Sequence, residues 1–277
     1  NRGVVSSELT RFLDHTLKKN IPDPAIINGM EKAIRRISKA VLNKEKIGII
    51  GDYDVDGIVS ACILYNYLRP YCPVIVKIPD RFIDGYGPNA KFIEELKQNN
   101  VNLIITVDCG SNSADLISKT DDVDIIIFDH HQTDHRDDVG FANVNPNRDD
   151  DKSGLNYLAA AGVVFLAIIG LNRELRNQDF FKNELPDRDL LQFVPMVALA
   201  TVADVVPLLK LNRAFVKQGI KIMNNTKNLG LNILIEDSNI NQFINEYHLG
   251  FILGPRINAG GRVGDSRIGV KLLTSSS

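Results

Sequence analysis

The chain has 277 residues, 44% hydrophobic and 24% charged, with a formal net charge of −2. That is enough apolar side chain to bury a core in one large or two small domains; it excludes intrinsic disorder and a uniformly basic nucleic-acid coat, but not a local basic groove offset in the sum by an acidic site. Three cysteines cannot build a disulfide framework and fit a reducing, cytoplasmic setting, and the longest apolar run, LAAAGVVFLAIIGL (158–171), is shorter than the roughly 20 residues of a membrane span and reads as a core helix.

Residues 8–46 read as a helical lead-in. Apolar residues recur at spacings of three and four in ELTRFL and MEKAIRRISKAVL, and Lys32, Arg35, Arg36, Lys39, Lys44 and Lys46 between them read as a solvated face. KIGIIG (46–51), PVIVKIP (73–79), NLIITVD (102–108), VDIIIFD (123–129) and FANVN (141–145) read as strands. Helices are predicted between them at 57–68 and 88–99, the second opened by Pro88. Continuous apolar strands alternating with helices predict a parallel sheet covered on both faces. The charged, breaker-rich NRDDDKSG (147–154) reads as a surface loop or linker, and beyond it only helices are predicted, over 157–175, 189–203, 212–224 and 228–237. The expected fold class is α/β, a parallel sheet flanked by helices with a helix-rich second half. The expected organisation is a lead-in over 1–45 and one domain over 46–277, its α/β part ending near 148 and its helical part starting near 155. A chain that starts at Asn1 and stops at TSSS after an apolar stretch reads as a fragment of a longer protein.

Three of the first four strands run into acid: Gly51-Asp52-Tyr53-Asp54-Val55-Asp56-Gly57, Asp108-Cys109-Gly110 and Asp129-His130-His131. In open parallel sheets the C-terminal strand ends line the ligand crevice, so these acids are expected to converge. Asp52, Asp54 and Asp56 alternate, and an extended backbone would point all three one way. Grouped carboxylates repel unless a cation neutralises them, and carboxylates with imidazole favour Mn²⁺ or Mg²⁺. Several could bridge two ions about 3.5–4 Å apart, the arrangement that activates water for phosphoester attack. Asp204, in the apolar ALATVADVVPL (198–208), needs a partner if buried, although an N-cap is the plainer use of a helical Asp. Gly254-Pro255-Arg256-Ile257-Asn258-Ala259-Gly260-Gly261-Arg262 reads as a loop that binds anions or phosphates. Singly, GDYDVDG reads more readily as a solvated turn than as a site, Arg256 as a plain ion-pair partner, and Cys109 as a small buried residue. His15, His135 and His248 have no recurring context.

The order GDYDVDG, VDCG, FDHH, TVADVVPL, GPRINAGGR resembles the five motifs of the DHH phosphoesterase superfamily, over nearly the whole chain. The wording is closest to its RecJ-like branch of single-strand-specific 5′-to-3′ DNA exonucleases, as are IPDPAIINGMEKAIRRISKAV and PDRFIDGYGPN (79–89). The resemblance implies a two-ion Mn²⁺ or Mg²⁺ enzyme that hydrolyses phosphodiesters to 5′-mononucleotides in DNA repair and recombination. Asp54 and Asp108 would hold the first ion; Asp108, Asp56, His130 and Asp204 would hold the second, and Asp52 is a further candidate. His131 would face the scissile phosphate as a catalytic group, Asp129 would orient the imidazoles, and Arg81, Arg256, Asn258 and Arg262 would grip substrate phosphates. Implied partners are single-stranded DNA, a single-strand-binding protein and a helicase; the chain is expected to be a cytoplasmic monomer without a membrane span.

This sequence departs from the pattern at Ile50, where many DHH enzymes carry a histidine, so the first ion site is expected to be weaker. By the same resemblance, the DHHA1-type and OB-like domains that follow in such exonucleases are expected to lie outside this fragment. Alternatives are a DHH-family oligoribonuclease, a small-phosphoester phosphodiesterase or pyrophosphatase, and a non-catalytic replication scaffold. Retention of all the implied ligands argues against the scaffold.

Overall fold

Short β-branched runs between helical segments leave few alternatives to crossover connections, and the computed structural model has the resulting sheet. It describes residues 16–133, 139–183, 187–226, 228–262 and 267–275. The helix predicted over residues 8–15, with His15, and likewise His135 and the side chain of Arg262, lie outside the described residues. The strands are β1 (Ile47–Gly51), β2 (Val74–Lys77), β3 (Leu103–Val107), β4 (Asp124–Phe128) and β5 (Ala142–Val144), all parallel in the order β2-β1-β3-β4-β5.

This order reverses direction between β1 and β3, because β1 leads outward to β2 and the chain then returns past β1. The two crossover helices, α2 (Val55–Leu68) and α3 (Ala90–Gln98), therefore cover opposite faces. The pleat divides the side chains accordingly. Ile47, Ile49, Leu103, Ile105 and Phe128 join the larger core with α2; Ile50, Ile104, Ile125 and Ile127 pack with Phe92, Ile93 and Leu96 of α3. Ile50 is thus a core residue of the α3 face, with its side chain turned away from the α2 side. The crevice created by the reversal lies at the C-terminal ends of β1 and β3.

The lead-in contributes α1 (Met30–Leu42), whose Ile34, Ile37 and Val41 belong to the larger core. The loop 147–154 is exposed in part but tied down: Asp151 accepts from the Asn28 backbone at 2.8 Å and Asp150 from the Asn28 side chain at 2.7 Å. The second half comprises α4 (Ala160–Asn177), α5 (Val194–Ala203), α6 (Lys210–Met223), α7 (Leu229–Asp237), α8 (Gly254–Arg262) and α9 (Arg267–Thr274). The predicted apolar run forms most of buried α4. The segment predicted as a Gly-rich loop is instead the helix α8. Its first glycine serves packing: a Cβ on Gly254 would stand 3.1 Å from Ala203 Cβ, so glycine lets α8 approach α5 closely.

Gly57 is tightly constrained by backbone beside the crevice. In the first turn of α2, it leaves a Cβ position only 2.5 Å from Asp52 N and 2.6 Å from Asp52 O. Gly57→Ala is expected to lose about 1–3 kcal/mol through overpacking of the β1 exit. The loss should appear as a lower urea midpoint at unchanged m-value; an unshifted midpoint would refute this account of the turn.

Candidate metal and catalytic site

Three acids directly follow three strands. Asp52, Asp108 and Asp129 extend β1, β3 and β4 by one residue, and their amides continue the ladder to Val107 O, Phe128 O and Val144 O at 3.3, 2.9 and 3.1 Å. All three are buried. Asp108 adopts a left-handed backbone, φ 60°, which turns the chain out of the sheet at the rim.

The remaining groups arrive from helix ends. Asp54 is the N-cap of α2 and accepts from Asp56 N and Gly57 N at 2.9 and 3.1 Å. Because the helix starts at Val55, the alternating acids do not lie on one extended face as the spacing had suggested. Asp56 points from the first helical turn toward α4, whose Ala160 and Ala161 amides donate to it at 2.6 and 2.9 Å. It supplies from outside the side-chain cap that α4 lacks, placing a carboxylate at the helix's positive end. Asp204 is the C-cap of α5 rather than an N-cap, and is 23% exposed. A carboxylate at a helix C-terminus opposes the helix dipole, so α5 itself gives this charge no stabilisation.

These side chains meet in three overlapping groups with ligand atoms within 4.8 Å of one another: Asp52, Asp54 and Asp108; Asp56, His130 and Asp204; and Asp108, His130 and His131. His130 Nε2 lies 3.2 Å from Asp108 Oδ1, 3.6 Å from Asp204 Oδ2 and 3.7 Å from Asp56 Oδ2. Burial, reinforced by the neighbouring His131, holds the His130 imidazole below its usual pKa, which favours the neutral ligand form. Four buried atoms aimed into this space, Asp52 Oδ1, Asp108 Oδ1, His130 Nε2 and Asp204 Oδ2, have no hydrogen-bond partner. Buried carboxylate oxygens and an imidazole nitrogen left facing one another fit divalent cations.

Electrostatics lead to the same conclusion. Burial and the Asp54 charge raise Asp52 to about 7; burial and Asp54 raise Asp204 to about 6. Asp56 and Asp108 are pushed well above the carboxylate range, first by burial and then by neighbouring acids. Acids whose folded pKa is raised bind more protons folded than unfolded. Without cations, stability from Asp52 and Asp204 is therefore expected to fall as pH rises from about 4 through 6 to 7. Melting curves at pH 5 and pH 8 test this: the shift produced by Mn²⁺ should be larger at pH 8, and an equal or smaller shift there would overturn it.

Asp129 is set apart from the cluster. Burial raises it, but the hydrogen bond and charge of His131 and the Ser111 and His131 amides outweigh burial and hold it below the usual range. His131 Nδ1 lies 2.8 Å from Asp129 Oδ1, and this bond raises the His131 pKa. Asp129 reaches the His131 ring directly but touches His130 through its backbone amide, at 2.8 Å. Tyr86, not singled out from the sequence, donates its hydroxyl to Asp108 O at 3.1 Å and lies 3.3 Å from both His131 ring nitrogens. Its place in GYG was the available signal.

Beside Asp54 lies a 230 Å³ cleft lined by Tyr53, Asp54, Arg81, Asn258 and Gly261, with the Arg81 guanidinium 5.5 Å from the Tyr53 ring centroid. Two of the four expected phosphate-gripping residues, Arg81 and Asn258, meet here. Arg256 does not line this cleft; it is exposed and donates to Ile252 O at 3.0 Å, one turn back along its own helical segment. The buried His248 belongs to a capping box with Asn245.

A family model described as "DHH family, N-terminal domain" matches residues 46–196. The single-stranded-DNA-specific exonuclease RecJ of Bacillus subtilis (strain 168) is 35% identical over 282 residues, covering 99% of this chain and 34% of that protein. RecJ of Escherichia coli (strain K12) is 33% identical over 280 residues, covering 99% and 48%. The chain thus spans between a third and a half of these relatives. Among solved structures, an exonuclease RecJ bound to manganese superposes with a TM-score of 0.78 at 29% identity, covering 92% of this chain and 62% of that one. RecJ from Thermus thermophilus in complex with Mn²⁺ gives 0.74 at 28% identity, covering 96% and 37%. A five-stranded parallel sheet whose strand-terminal acids and paired histidines meet at one rim, matched by the family model across that whole sheet, places this chain in the DHH family.

Proposed function

We propose that the chain is the catalytic portion of a metal-dependent nuclease that hydrolyses single-stranded DNA from its 5′ end, with its sheet part (46–148) and helical part (155–277) acting as one unit. The observation that carries this reading is the meeting of four unpartnered buried atoms, from Asp52, Asp108, His130 and Asp204, at the sheet rim. The names of the relatives supply the substrate: several are single-stranded-DNA-specific exonucleases, and two related structures hold Mn²⁺.

Asp52, Asp54 and Asp108 would hold one cation, and Asp56, His130 and Asp204 with Asp108 the other; Asp52 would stand in for the histidine that many family members carry at the position of Ile50. Bound there, Mn²⁺ or Mg²⁺ supplies Lewis-acid polarisation of phosphoryl oxygens and lowers the pKa of an attacking water. The chain's own residues do the rest. Asp129 holds the His131 ring and favours its protonated form, so His131 presents positive charge to the phosphate as negative charge develops. Arg81 and Asn258 bind a backbone phosphate in the cleft beside Asp54. Among the described residues no helix is long and apolar enough to cross a membrane.

The test is digestion of a 5′-phosphorylated, 3′-labelled oligonucleotide with Mn²⁺, alongside its duplex and the dinucleotide pApA. Release of 5′-mononucleotides from the single strand, with the duplex resistant, is expected. Cleavage of pApA alone would move the reading to a small-phosphoester phosphodiesterase, and no Mn²⁺-dependent cleavage of any of the three would refute it.

A further inference from the structure

His130 and His131 lie beyond the end of β4, where the ladder no longer satisfies their carbonyls. Two asparagines from the β5 exit do so instead. The buried Asn145 donates through Nδ2 to His131 O at 2.9 Å and to Ser111 Oγ at 2.9 Å. Asn147 donates through Nδ2 to His130 O at 2.5 Å and to Asn156 O at 3.2 Å. The two are coupled, since Asn145 Oδ1 accepts from Asn147 N at 2.8 Å. The exposed Gln132 orients the second amide by donating to Asn147 Oδ1 at 2.9 Å. Each amide nitrogen has two hydrogens and two acceptors, so the NH₂ end must face the histidine loop. Aspartate, nearly the same shape, would turn an acceptor toward acceptors.

We infer that Asn145 and Asn147 are positioning residues, one for each histidine: Asn147 fixes the backbone from which His130 faces Asp108, Asp56 and Asp204, and Asn145 fixes that of His131. This rests on the roles proposed above for the two histidines. The geometry separates the two effects. The Asn147 bond ends on His130, the ligand candidate, so its loss should act on cation affinity. The Asn145 bond ends on His131, held by Asp129 and aimed at the substrate, so its loss should act on turnover.

Calorimetric titration of Mn²⁺ into wild type, Asn147→Ala, His130→Ala and the double variant tests the first assignment. Asn147→Ala should weaken Mn²⁺ binding about 10-fold or more, as loss of a group supporting a metal ligand does. It should weaken it no further once His130 is alanine, whereas independent additive losses would mean general destabilisation and overturn the inference. Gln132→Ala, an exposed change that leaves the core alone, should weaken binding in the same direction and keeps the test decisive if Asn147→Ala does not fold. Unchanged affinity in a folded Asn147→Ala, or in Gln132→Ala where that alanine variant does not fold, would overturn the inference. For Asn145→Asp, kcat should fall about 10-fold or more with Mn²⁺ affinity within about 3-fold of wild type; equal loss of both would remove the division of labour. Failure of wild type to bind Mn²⁺ would refute the site itself, a separate result from a wild type that binds and an Asn147 variant that binds equally well.

Discussion

Asp108→Asn is expected to abolish hydrolysis, by about 10³-fold or more, equivalent to about 4 kcal/mol of barrier, while raising the stability of the metal-free protein. Asp108 belongs to two of the three ligand groups and is the acid nearest His130, at 3.2 Å. One substitution therefore touches both of the proposed cation positions. Asparagine is the variant of choice because the left-handed φ of 60° at this residue suits Asn as it suits Asp, whereas alanine would add backbone strain and confuse the result. Without cations, Asp108 is a buried acid raised by burial and by Asp56, Asp54, Asp129 and Asp52. Removing that charge removes the repulsion, so the melting temperature without metal should rise by a few degrees, and the Mn²⁺-induced increment should shrink. Activity within about 10-fold of wild type, or a lowered metal-free melting temperature, would contradict the assignment.

His131→Ala should reduce turnover by about 10²–10⁴-fold, the range for losing a positioned acid–base or charge-stabilising group. Mn²⁺ affinity should stay within about 3-fold of wild type. The reason is placement: His131 is held by Asp129 at 2.8 Å and stands 3.8 Å from Asp108, whereas His130 faces three acids. Loss of Mn²⁺ binding equal to that in His130→Ala would make His131 a ligand and end the distinction. Asp129→Ala should behave differently again. It strands the His131 ring and the Ser111, His130 and His131 amides that Asp129 now satisfies, so about 3–5 kcal/mol of stability should be lost along with turnover.

Much of the architecture is legible in the sequence. Ile-Val-Leu runs of four or five residues closed by acid have one ready use, as parallel strands buried on both faces, and the observed strands fall within the predicted ranges. The misreadings have local causes. GPRINAGGR carries three glycines and a proline, which as composition means loop, yet the segment is a helix and Gly254 lets it pack closely on Ala203. The alternating acids at 52, 54 and 56 were read at strand period, but the N-cap at Asp54 ends the extended chain two residues earlier than that reading required. Asn145, Asn147 and Tyr86 have neither period nor ligand chemistry, and their importance lies in which carbonyls they reach.

By itself the sequence determined that acids would end the strands and that a parallel sheet would gather them at one rim, because the C-terminal ends of parallel strands share one edge; the strand order came from the structure. Only the tertiary structure decided how the gathered groups divide. Whether Asp56 sides with Asp52 or with His130, and which histidine ring Asp129 reaches directly, depends on helix starts and on amides brought in from α4 and the β5 exit, more than a hundred residues away in the case of Asp56. Such long-range hydrogen bonds are set by packing, and packing leaves no periodic trace in the chain.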